Sequence, residues 1–209
     1  MTSYEQEYVT SVYEEIASHF NVTRVSHWPW VTNFVESLTK KSNILDIGCG
    51  NGRNMLYPNH NFIGIDNCKK FVTMCAEKNL NVLCGSMTEL SFSSKTFDAI
   101  LSIASFHHLK TAERRKSALS EMNRVLVPGG KVLLSVWSKE QPTKTRRIFD
   151  HYGDTLVPWA QKECVYFRYY YIFQKEEIES LFKEVGFKIK KHFWDFGNEV
   201  YILEKSEFI

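Results

Sequence analysis

The strongest constraint on this chain is a cluster of glycines directly after a short apolar run. Residues 43–47 predict a buried strand, and Gly48, Gly50 and Gly52 follow it. Glycine lets the backbone turn sharply after a parallel strand and lets a ligand approach where a Cβ would otherwise stand. A dinucleotide loop has the pattern Gly-x-Gly-x-x-Gly, but Arg53 occupies the place of its last glycine. The loop therefore predicts a nucleotide-type cofactor without a cradle for a pyrophosphate.

Strands and helices alternate through the first two thirds of the chain. The predicted strands are 43–47, 62–65, 81–84, 97–103 and 131–137, and the predicted helices are 69–78 and 112–126. This alternation favours a parallel sheet with helices on both faces. Beyond residue 140, the pattern predicts a helix at 175–185 and two strands at 187–193 and 199–204, which suggest an antiparallel edge. The expected fold class is therefore α/β.

Composition indicates one soluble domain. The chain has 209 residues, 44% of them hydrophobic, which is enough to bury a sizeable core. Lys and Arg number 26 and Asp and Glu number 24, so the net charge of +2 neither demands nor excludes an anionic partner. The five cysteines form no Cys-x-x-Cys pair, so we expect neither a disulfide framework nor a metal site. With an acidic N-terminal stretch and no apolar run of membrane length, we expect a cytoplasmic location, with the nucleus as a second one.

An aspartate follows the second predicted strand. Asp66 comes eighteen residues after Gly48, where a carboxylate can accept hydrogen bonds from both hydroxyls of a ribose, a contact worth about 1.5–3 kcal/mol. Together with the Pro-Gly-Gly stop at 128–130, these motifs resemble the class I S-adenosylmethionine-dependent methyltransferases over about residues 44–137. The resemblance implies S-adenosyl-L-methionine as the cofactor. It also implies a single Rossmann-like, doubly wound sheet of seven mainly parallel strands with an antiparallel edge.

The same resemblance implies which residues hold the cofactor: Asp46, Gly48, Gly50, Gly52, Asp66, Ser86, Met87 and Ser102. In that family Asp46 would order the loop or face the methionine ammonium through water, and Met87 would pack on the adenine. The family usually has an aspartate after the third strand to accept from the adenine amino group, whereas this chain has Ser86, a weaker acceptor. A plain glycine turn with a buried capping aspartate is the alternative interpretation.

Segments outside this core carry a second, narrower resemblance. Residues 102–104 with 107–108, residues 137–141 and residues 168–170 are similar to the eukaryotic tRNA wobble-uridine carboxymethyl methyltransferases. That family esterifies a 5-carboxymethyl group on the first anticodon base, and the likeness extends over about residues 13–201. Residues 195–199 depart from the family's pattern.

The second resemblance also implies an organisation and a partner. We expect one methyltransferase domain in three parts, an N-terminal helical cap at 1–40, a cofactor-binding core at 41–140, and acceptor-side and C-terminal edge elements at 141–209. Family members work with a small zinc-binding activator protein, so the chain is expected in a heterodimer. The short strand at 81–84 is predicted to be a sheet edge and the place of that contact.

The chemistry of a carboxylate acceptor sets an expectation of its own. A carboxylate is already ionised at neutral pH, because its reference pKa is near 4, and so it needs no general base. Catalysis would then consist mostly of placing the oxygen in line with the methyl group, which is worth up to about 7–11 kcal/mol. We expect Arg24 and His108 to orient the carboxylate or the base as hydrogen-bond donors.

A basic stretch follows the fourth strand. Between residues 110 and 147 there are ten basic and three acidic residues, and such a run can hold an RNA backbone. The residues predicted to contact substrate or tRNA are His107, Arg115, Arg146, Arg147, Arg168 and Tyr169. The alternatives are a solvated charged face for the basic run, a helix cap for His107 and His108, and a half-buried strand for 168–170. Tyr13 is expected in the core.

Two other functions stay open from the sequence. The cofactor core is shared by methyltransferases that act on small lipids or metabolites, and a non-catalytic cofactor-binding subunit of an RNA-modifying assembly is the third possibility. The basic stretch favours an RNA acceptor over the first alternative, and the presence of Asp66 and the glycines favours an enzyme over the second.

Overall fold

The computed structural model describes residues 1–145, 147–161 and 163–206. Over these residues the strands are β1 (Asn43–Ile47), β2 (Asn61–Asp66), β3 (Val82–Cys84), β4 (Phe97–Ile103), β5 (Leu126–Trp137), β6 (Gly153–Gln161), β7 (Cys164–Ile172), β8 (Phe187–Asp195) and β9 (Asn198–Lys205). The α-helices are α1 (Ser3–Glu5), α2 (Ser11–Thr23), α3 (Pro29–Glu36), α4 (Lys69–Glu77), α5 (Ala112–Val125) and α6 (Lys175–Glu184).

Seven strands form one sheet in the order β3-β2-β1-β4-β5-β9-β8. The pairs among β1 to β5 are parallel, and β9 pairs antiparallel with both β5 and β8. The predicted α/β sheet with an antiparallel edge is therefore confirmed, including the position of β3 at its edge. Because parallel strands run the same way, β1, β2, β3 and β4 all end on one side of the sheet.

Helices cover both faces of this sheet. One face packs against α5 and α6 through residues such as Leu119 and Phe182, and the other packs against α3 through Val31 and Phe34. All four of these side chains are buried, which makes the two faces apolar as the strand sequences predict. Among the described residues, no helix is both long and apolar enough to cross a membrane.

The structure departs from the predicted elements in two places. β6 and β7 form an antiparallel hairpin of their own, separate from the main sheet. β5 begins at Leu126 rather than at Lys131, because the pairing with β4 continues across Pro128 after a shift in register. The helix before it accordingly ends at Val125.

The N-terminal helices are held over the ends of the strands by polar contacts. Glu14 accepts hydrogen bonds from the backbone N–H groups of Lys69 and Lys70, at the start of α4. Glu5 is buried and accepts from the side chain of Arg114 on α5. These contacts bring residues of α2 to the same side of the sheet as the glycine loop.

Candidate active site

A cavity of about 650 Å³ opens where β1, β2, β3 and β4 end. Two sets of residues line this cavity. The cofactor group consists of Gly48, Gly50, Asp66, Ser86 and Met87, and the arginine group consists of Arg24, Arg147 and Arg168.

The glycine loop is bent by left-handed backbone at each of its glycines. Gly48 has φ +70° and Gly50 has φ +54°. A Cβ on Gly48 would lie 2.4 Å from the Cβ of Ser105, so a side chain has no room there. Gly52 has φ +75° but packs against Leu80 and Cys75 instead of lining the cavity. Gly52 therefore shapes the loop, and it does not line the cavity as its predicted contact with the cofactor requires.

Asp66 stands on the cavity wall at the end of β2. Its Oδ2 accepts a hydrogen bond of 2.8 Å from the N–H of Gly50, and its Oδ1 accepts one of 2.9 Å from the N–H of Cys68. Each carboxylate oxygen has a second acceptor position. Burial raises the pKa of Asp66 to about 6, against the two backbone donors, which lower it. This arrangement fits the two hydroxyls of a ribose.

Asp46 lies behind the loop on β1. It is 1% exposed, and neither of its carboxylate oxygens has a hydrogen-bond partner among residues 1–145, 147–161 and 163–206. Burial raises its pKa to about 7, although the positive charge of Arg53 opposes the shift. An unpartnered buried carboxylate is costly unless a cation or donor comes to it. Asp46 does not line the cavity, so the ammonium group of a methionine would reach it only through a bridging water, as the resemblance implies.

Of Ser86, Met87 and Ser102, which were predicted to bind the cofactor, the first two line the cavity. Ser86 and Met87 line the cavity just beyond β3, and the Ser86 hydroxyl lies 2.9 Å from that of Thr88. Ser102 does not line the cavity: it is fully buried, with its hydroxyl 3.0 Å from the hydroxyl of Ser105. The assignment of Ser102 to the cofactor is therefore wrong, because its side chain lies beneath the loop and supports Ser105.

Five arginines line the cavity, and the arginine group is three of them. Of the other two, Arg53 donates to the carbonyl oxygen of Ser26 and Arg114 pairs with Glu5. Arg24 follows α2, Arg147 precedes the β6–β7 hairpin, and Arg168 lies on β7. Within the described residues, none of the three has a carboxylate within 4.0 Å. Arg168 is 4% exposed, and its Nε has no hydrogen-bond partner in the part of the chain that the structure describes. Burial lowers the pKa of Arg24, and the charge of Arg168 lowers it further. One buried and two half-buried cations without counterions among the described residues favour the binding of an anion.

Aromatic side chains hold the arginine group in place. The guanidinium carbon of Arg147 is 4.4 Å from the ring centre of Trp137, and that of Arg168 is 4.7 Å from Trp159. Trp137 itself stacks on Tyr170 with ring centres 4.0 Å apart. Stacking on an aromatic face stabilises a guanidinium while leaving its N–H groups free to donate.

His108 lines the cavity, but the ring nitrogen that could reach a substrate accepts a hydrogen bond, whereas it was expected to donate one. Its Nδ1 lies 2.6 Å from the carbonyl oxygen of Tyr169, which can only accept, so Nδ1 carries the proton. Burial lowers the pKa of His108 to about 3, and the neutral ring leaves Nε2 as an acceptor for the hydroxyl of Tyr13, 3.0 Å away. His108 therefore has no N–H to offer a substrate, and its predicted role as a donor is wrong.

His107 and Tyr169 support the cavity from behind. Nδ1 of His107 accepts a hydrogen bond of 3.0 Å from the N–H of Trp137, and the ring is fully buried. The hydroxyl of Tyr169 donates to Asp154, 2.7 Å away. Neither lines the cavity, so their predicted substrate contacts are wrong. The two histidines do not cap the following helix either, because the Thr111 side chain caps α5.

The basic stretch does not form one charged face. Its first five cations are all in ion pairs with carboxylates: Lys110, Arg114, Arg115, Lys116 and Arg124. Arg115 is 3% exposed and donates to the carbonyl groups of Leu109 and Lys110. Its guanidinium carbon lies 3.3 Å from the ring centre of Tyr171. The predicted contact of Arg115 with tRNA is therefore wrong, because the guanidinium is used inside the fold. Arg146 lies outside the described residues.

Sequence reasoning missed several residues of the cavity wall, among them Tyr13 and Tyr170. Tyr13 was expected in the core, but it lines the cavity and donates to His108. Tyr170 lines the cavity beside Arg168, whereas Tyr169 points away. The alternation of side chains along a strand pairs residue 168 with residue 170, so this signal was present in the sequence. Tyr13 had no comparable signal.

Comparisons with known proteins agree with this geometry. Residues 45–134 match the family described as "Methyltransferase domain". The chain is 38% identical to the tRNA (carboxymethyluridine(34)-5-O)-methyltransferase of Schizosaccharomyces pombe, over 97% of this chain and 98% of that one. It is 32% identical to tRNA (carboxymethyluridine(34)-5-O)-methyltransferase alkbh8 from Xenopus tropicalis, over 96% of this chain but only 41% of that protein.

Solved structures share the fold at low identity. An S-adenosylmethionine-dependent methyltransferase from Clostridium acetobutylicum has a TM-score of 0.72 at 14% identity, over 93% of this chain and 99% of that one. A putative methyltransferase in complex with the Haloferax volcanii Trm112 methyltransferase activator has a TM-score of 0.68 at 15% identity, over 95% and 97% of the two chains.

The family match and the cofactor group together make S-adenosylmethionine the cofactor of this chain. The carboxylate of Asp66 and the open glycine loop fit its ribose, and the buried carboxylate of Asp46 lies behind that loop. With a relative that it matches over nearly its whole length at 38% identity, the chain belongs to the family of tRNA (carboxymethyluridine(34)-5-O)-methyltransferases.

Proposed function

We propose that this chain methylates the carboxylate of 5-carboxymethyluridine at the wobble position of tRNA, giving the methyl ester. The names of its relatives support this acceptor. The observation that carries the proposal is the arginine group, three cations without carboxylate partners among the described residues, on the wall of the cavity that holds the cofactor group. A neutral base gives no reason for three such cations, whereas a carboxymethyl group does.

The residues of the chain place the acceptor rather than exchange protons with it. When bound, the cofactor would supply a methyl group on a positively charged sulfonium; transfer to an ionised carboxylate oxygen would break the bond between sulfur and that methyl group and leave neutral S-adenosylhomocysteine. Arg168 and Arg24 hold the carboxylate by hydrogen bonds from their N–H groups. His108 is neutral, since burial lowers its pKa to about 3, and it fixes the hydroxyl of Tyr13 by accepting from it. No side chain is required as a general base.

The test is methyl transfer to defined RNA. The chain is incubated with S-adenosylmethionine labelled in the methyl group and with tRNA that carries 5-carboxymethyluridine, followed by nucleoside analysis. We expect label in an alkali-labile methyl ester of that nucleoside and none in tRNA with unmodified uridine. Transfer to a small molecule but to neither tRNA would contradict the proposal.

We also propose that a small zinc-binding activator protein docks on the edge strand β3. This short strand pairs with β2 on one side only, and Leu83 is 45% exposed there. An unpaired edge with an apolar side chain suits the addition of a strand from another protein. The distant structural neighbour bound to a Trm112 activator supports the same kind of partner.

Co-purification tests this contact. The chain is co-expressed with a Trm112-type protein, and the variant Leu83→Lys is compared with Leu156→Lys, which alters an exposed leucine on β6. We expect the first variant to lose the partner and the second to keep it. Retention by both variants would place the contact elsewhere.

A further inference from the structure

The tip of the β8–β9 hairpin carries an aromatic residue in a strained conformation. Phe196 has φ +49°. This left-handed region is unfavourable for a bulky side chain. A two-residue turn joins the paired residues Asp195 and Asn198, and a turn of this kind requires left-handed backbone at both central residues, here Phe196 and Gly197. Phe196 also falls in the segment 195–199, which departs from the pattern of the family that the chain resembles.

Contacts on both sides of Phe196 hold this turn in place. The carbonyl oxygen of Gly197 accepts hydrogen bonds from the N–H of Ser138, at 2.9 Å, and from Nε2 of Gln141, at 2.8 Å. On the other side, the indole N–H of Trp30 donates to Asp195 at 3.0 Å. The tip is therefore fixed to the ends of β5 and α3 and presents the ring of Phe196 in one place.

The ring of Phe196 lies on the wall of the cavity and is open to solvent. It is 38% exposed, and Nζ of Lys144 lies 4.3 Å from its centre. Trp28, also on the cavity wall, is 6.3 Å from it between ring centres. Single-stranded RNA is bound by this combination, since bases stack on aromatic rings and phosphates pair with nearby cations.

We propose that Phe196 stacks on a nucleobase next to the acceptor nucleotide, with Lys144 beside the connecting phosphate. The proposal rests on the proposed function, because it requires the acceptor to be one base in an RNA loop. RNA is the occupant that the charges favour, since the same wall carries the arginine group. Phe196 thus contributes to recognition of the loop and not to the transfer itself.

The variant Phe196→Asn separates stacking from folding. Asparagine tolerates left-handed backbone, so we expect an unchanged or higher melting temperature. Phe167→Asn is the matched control, because Phe167 is 48% exposed on β7 and is not among the cavity residues. Binding of an anticodon stem-loop that carries 5-carboxymethyluridine is measured by fluorescence anisotropy. We expect Kd to rise about tenfold in Phe196→Asn and to stay unchanged in the control.

Abasic RNA identifies the stacked base. In the unaltered chain, removing the base on one side of the acceptor nucleotide is expected to weaken binding about tenfold. The variant Phe196→Asn should bind this abasic RNA as tightly as it binds the RNA that keeps the base. Equal Kd values for Phe196→Asn and the unaltered chain, or losses that add at both flanking positions, would overturn the inference. Absence of methyl transfer by the unaltered chain would instead contradict the proposed function.

Discussion

The cofactor group and the arginine group differ in how the fold assembles them. Gly48, Gly50 and Asp66 follow neighbouring strands of one parallel sheet, so a short stretch of sequence determines their positions. Arg24 and Arg168 come from a helix end and a separate hairpin, far apart in the chain. The charges also differ, because carboxylates lie beside the glycine loop and guanidinium groups lie elsewhere on the cavity wall, and we expect the first to bind a cationic cofactor and the second an anionic acceptor. The comparison predicts that changes in the two groups have separable effects.

The largest effect is expected at Asp66. Asp66→Ala removes the acceptor of both ribose hydroxyls and of the Gly50 N–H. Two charge-assisted hydrogen bonds are worth about 3 kcal/mol or more, so we expect binding of S-adenosylhomocysteine to weaken about 100-fold. Calorimetry measures this, with Asp98→Ala as the control, because Asp98 accepts from Asn43 at the opposite end of β1. An equal loss of RNA affinity would show that the groups are not separable.

Arg168→Gln tests the arginine group and is expected to leave cofactor binding intact. Leaving a carboxylate without its buried cation costs about 2 kcal/mol or more, so kcat/KM for the modified RNA should fall about 30-fold while S-adenosylhomocysteine binds as before. Arg115→Gln is the matched control, since this buried arginine is on α5 and outside the cavity. It should lower the melting temperature and leave KM for RNA unchanged. A rise in KM with Arg115→Gln would restore its predicted contact with tRNA.

Asp46 makes cofactor binding depend on pH. Burial raises its pKa to about 7, so the carboxylate is mostly protonated at pH 6 and mostly ionised at pH 8. Over this range we expect the affinity for S-adenosylhomocysteine to rise about 20-fold, about tenfold from Asp46 and about twofold from Asp66. In Asp46→Asn only the titration of Asp66 remains, and the rise should shrink to about twofold. An equal pH dependence in both proteins would show that Asp46 does not face the ammonium group.

The raised pKa of Asp46 also makes the stability of the fold depend on pH. The pKa of Asp46 is raised in the folded chain from 3.8 to about 7, so folding retains a proton that the unfolded chain releases. Stability therefore falls as the pH rises from about 4 to about 7. Asp46→Asn should lack this part of the decline and melt at a higher temperature than the unaltered chain at pH 8. Thermal unfolding at pH 5 and pH 8 checks the difference.

The smallest effect is expected at Arg147. It lines the cavity over Trp137 without a carboxylate partner among the described residues. Arg147→Gln should weaken RNA binding about threefold and reduce the salt dependence of log Kd by about one counterion. Lys116→Gln is the control, because Lys116 pairs with Glu184. An unchanged slope for Arg147→Gln would remove Arg147 from the RNA-binding surface.

The contrast between the two groups also explains what the sequence could predict. Strand ends carry their own signals, so the sheet, the glycine loop and the position of Asp66 beside it were predictable. Ser102 was misplaced because nothing in a strand's sequence says which of its last side chains faces a loop above it.

The roles of the residues predicted to bind the acceptor depend on tertiary packing, which no local sequence pattern predicts. The burial of Arg115 depends on Tyr171, and the reversed hydrogen bonds of His108 depend on the carbonyl oxygen of Tyr169. Both partners lie on β7, a strand of the separate hairpin. The sequence offered no means of docking that hairpin on the sheet, so the roles of these residues required the tertiary structure.

The most direct test of the account asks whether the arginine group recognises a carboxylate. Two anticodon stem-loops are compared, one with 5-carboxymethyluridine and one with its neutral amide, 5-carbamoylmethyluridine. We expect the unaltered chain to bind the acid at least about tenfold more tightly, and Arg168→Gln to lose most of that preference. Equal affinity of the unaltered chain for the two RNAs would contradict the account.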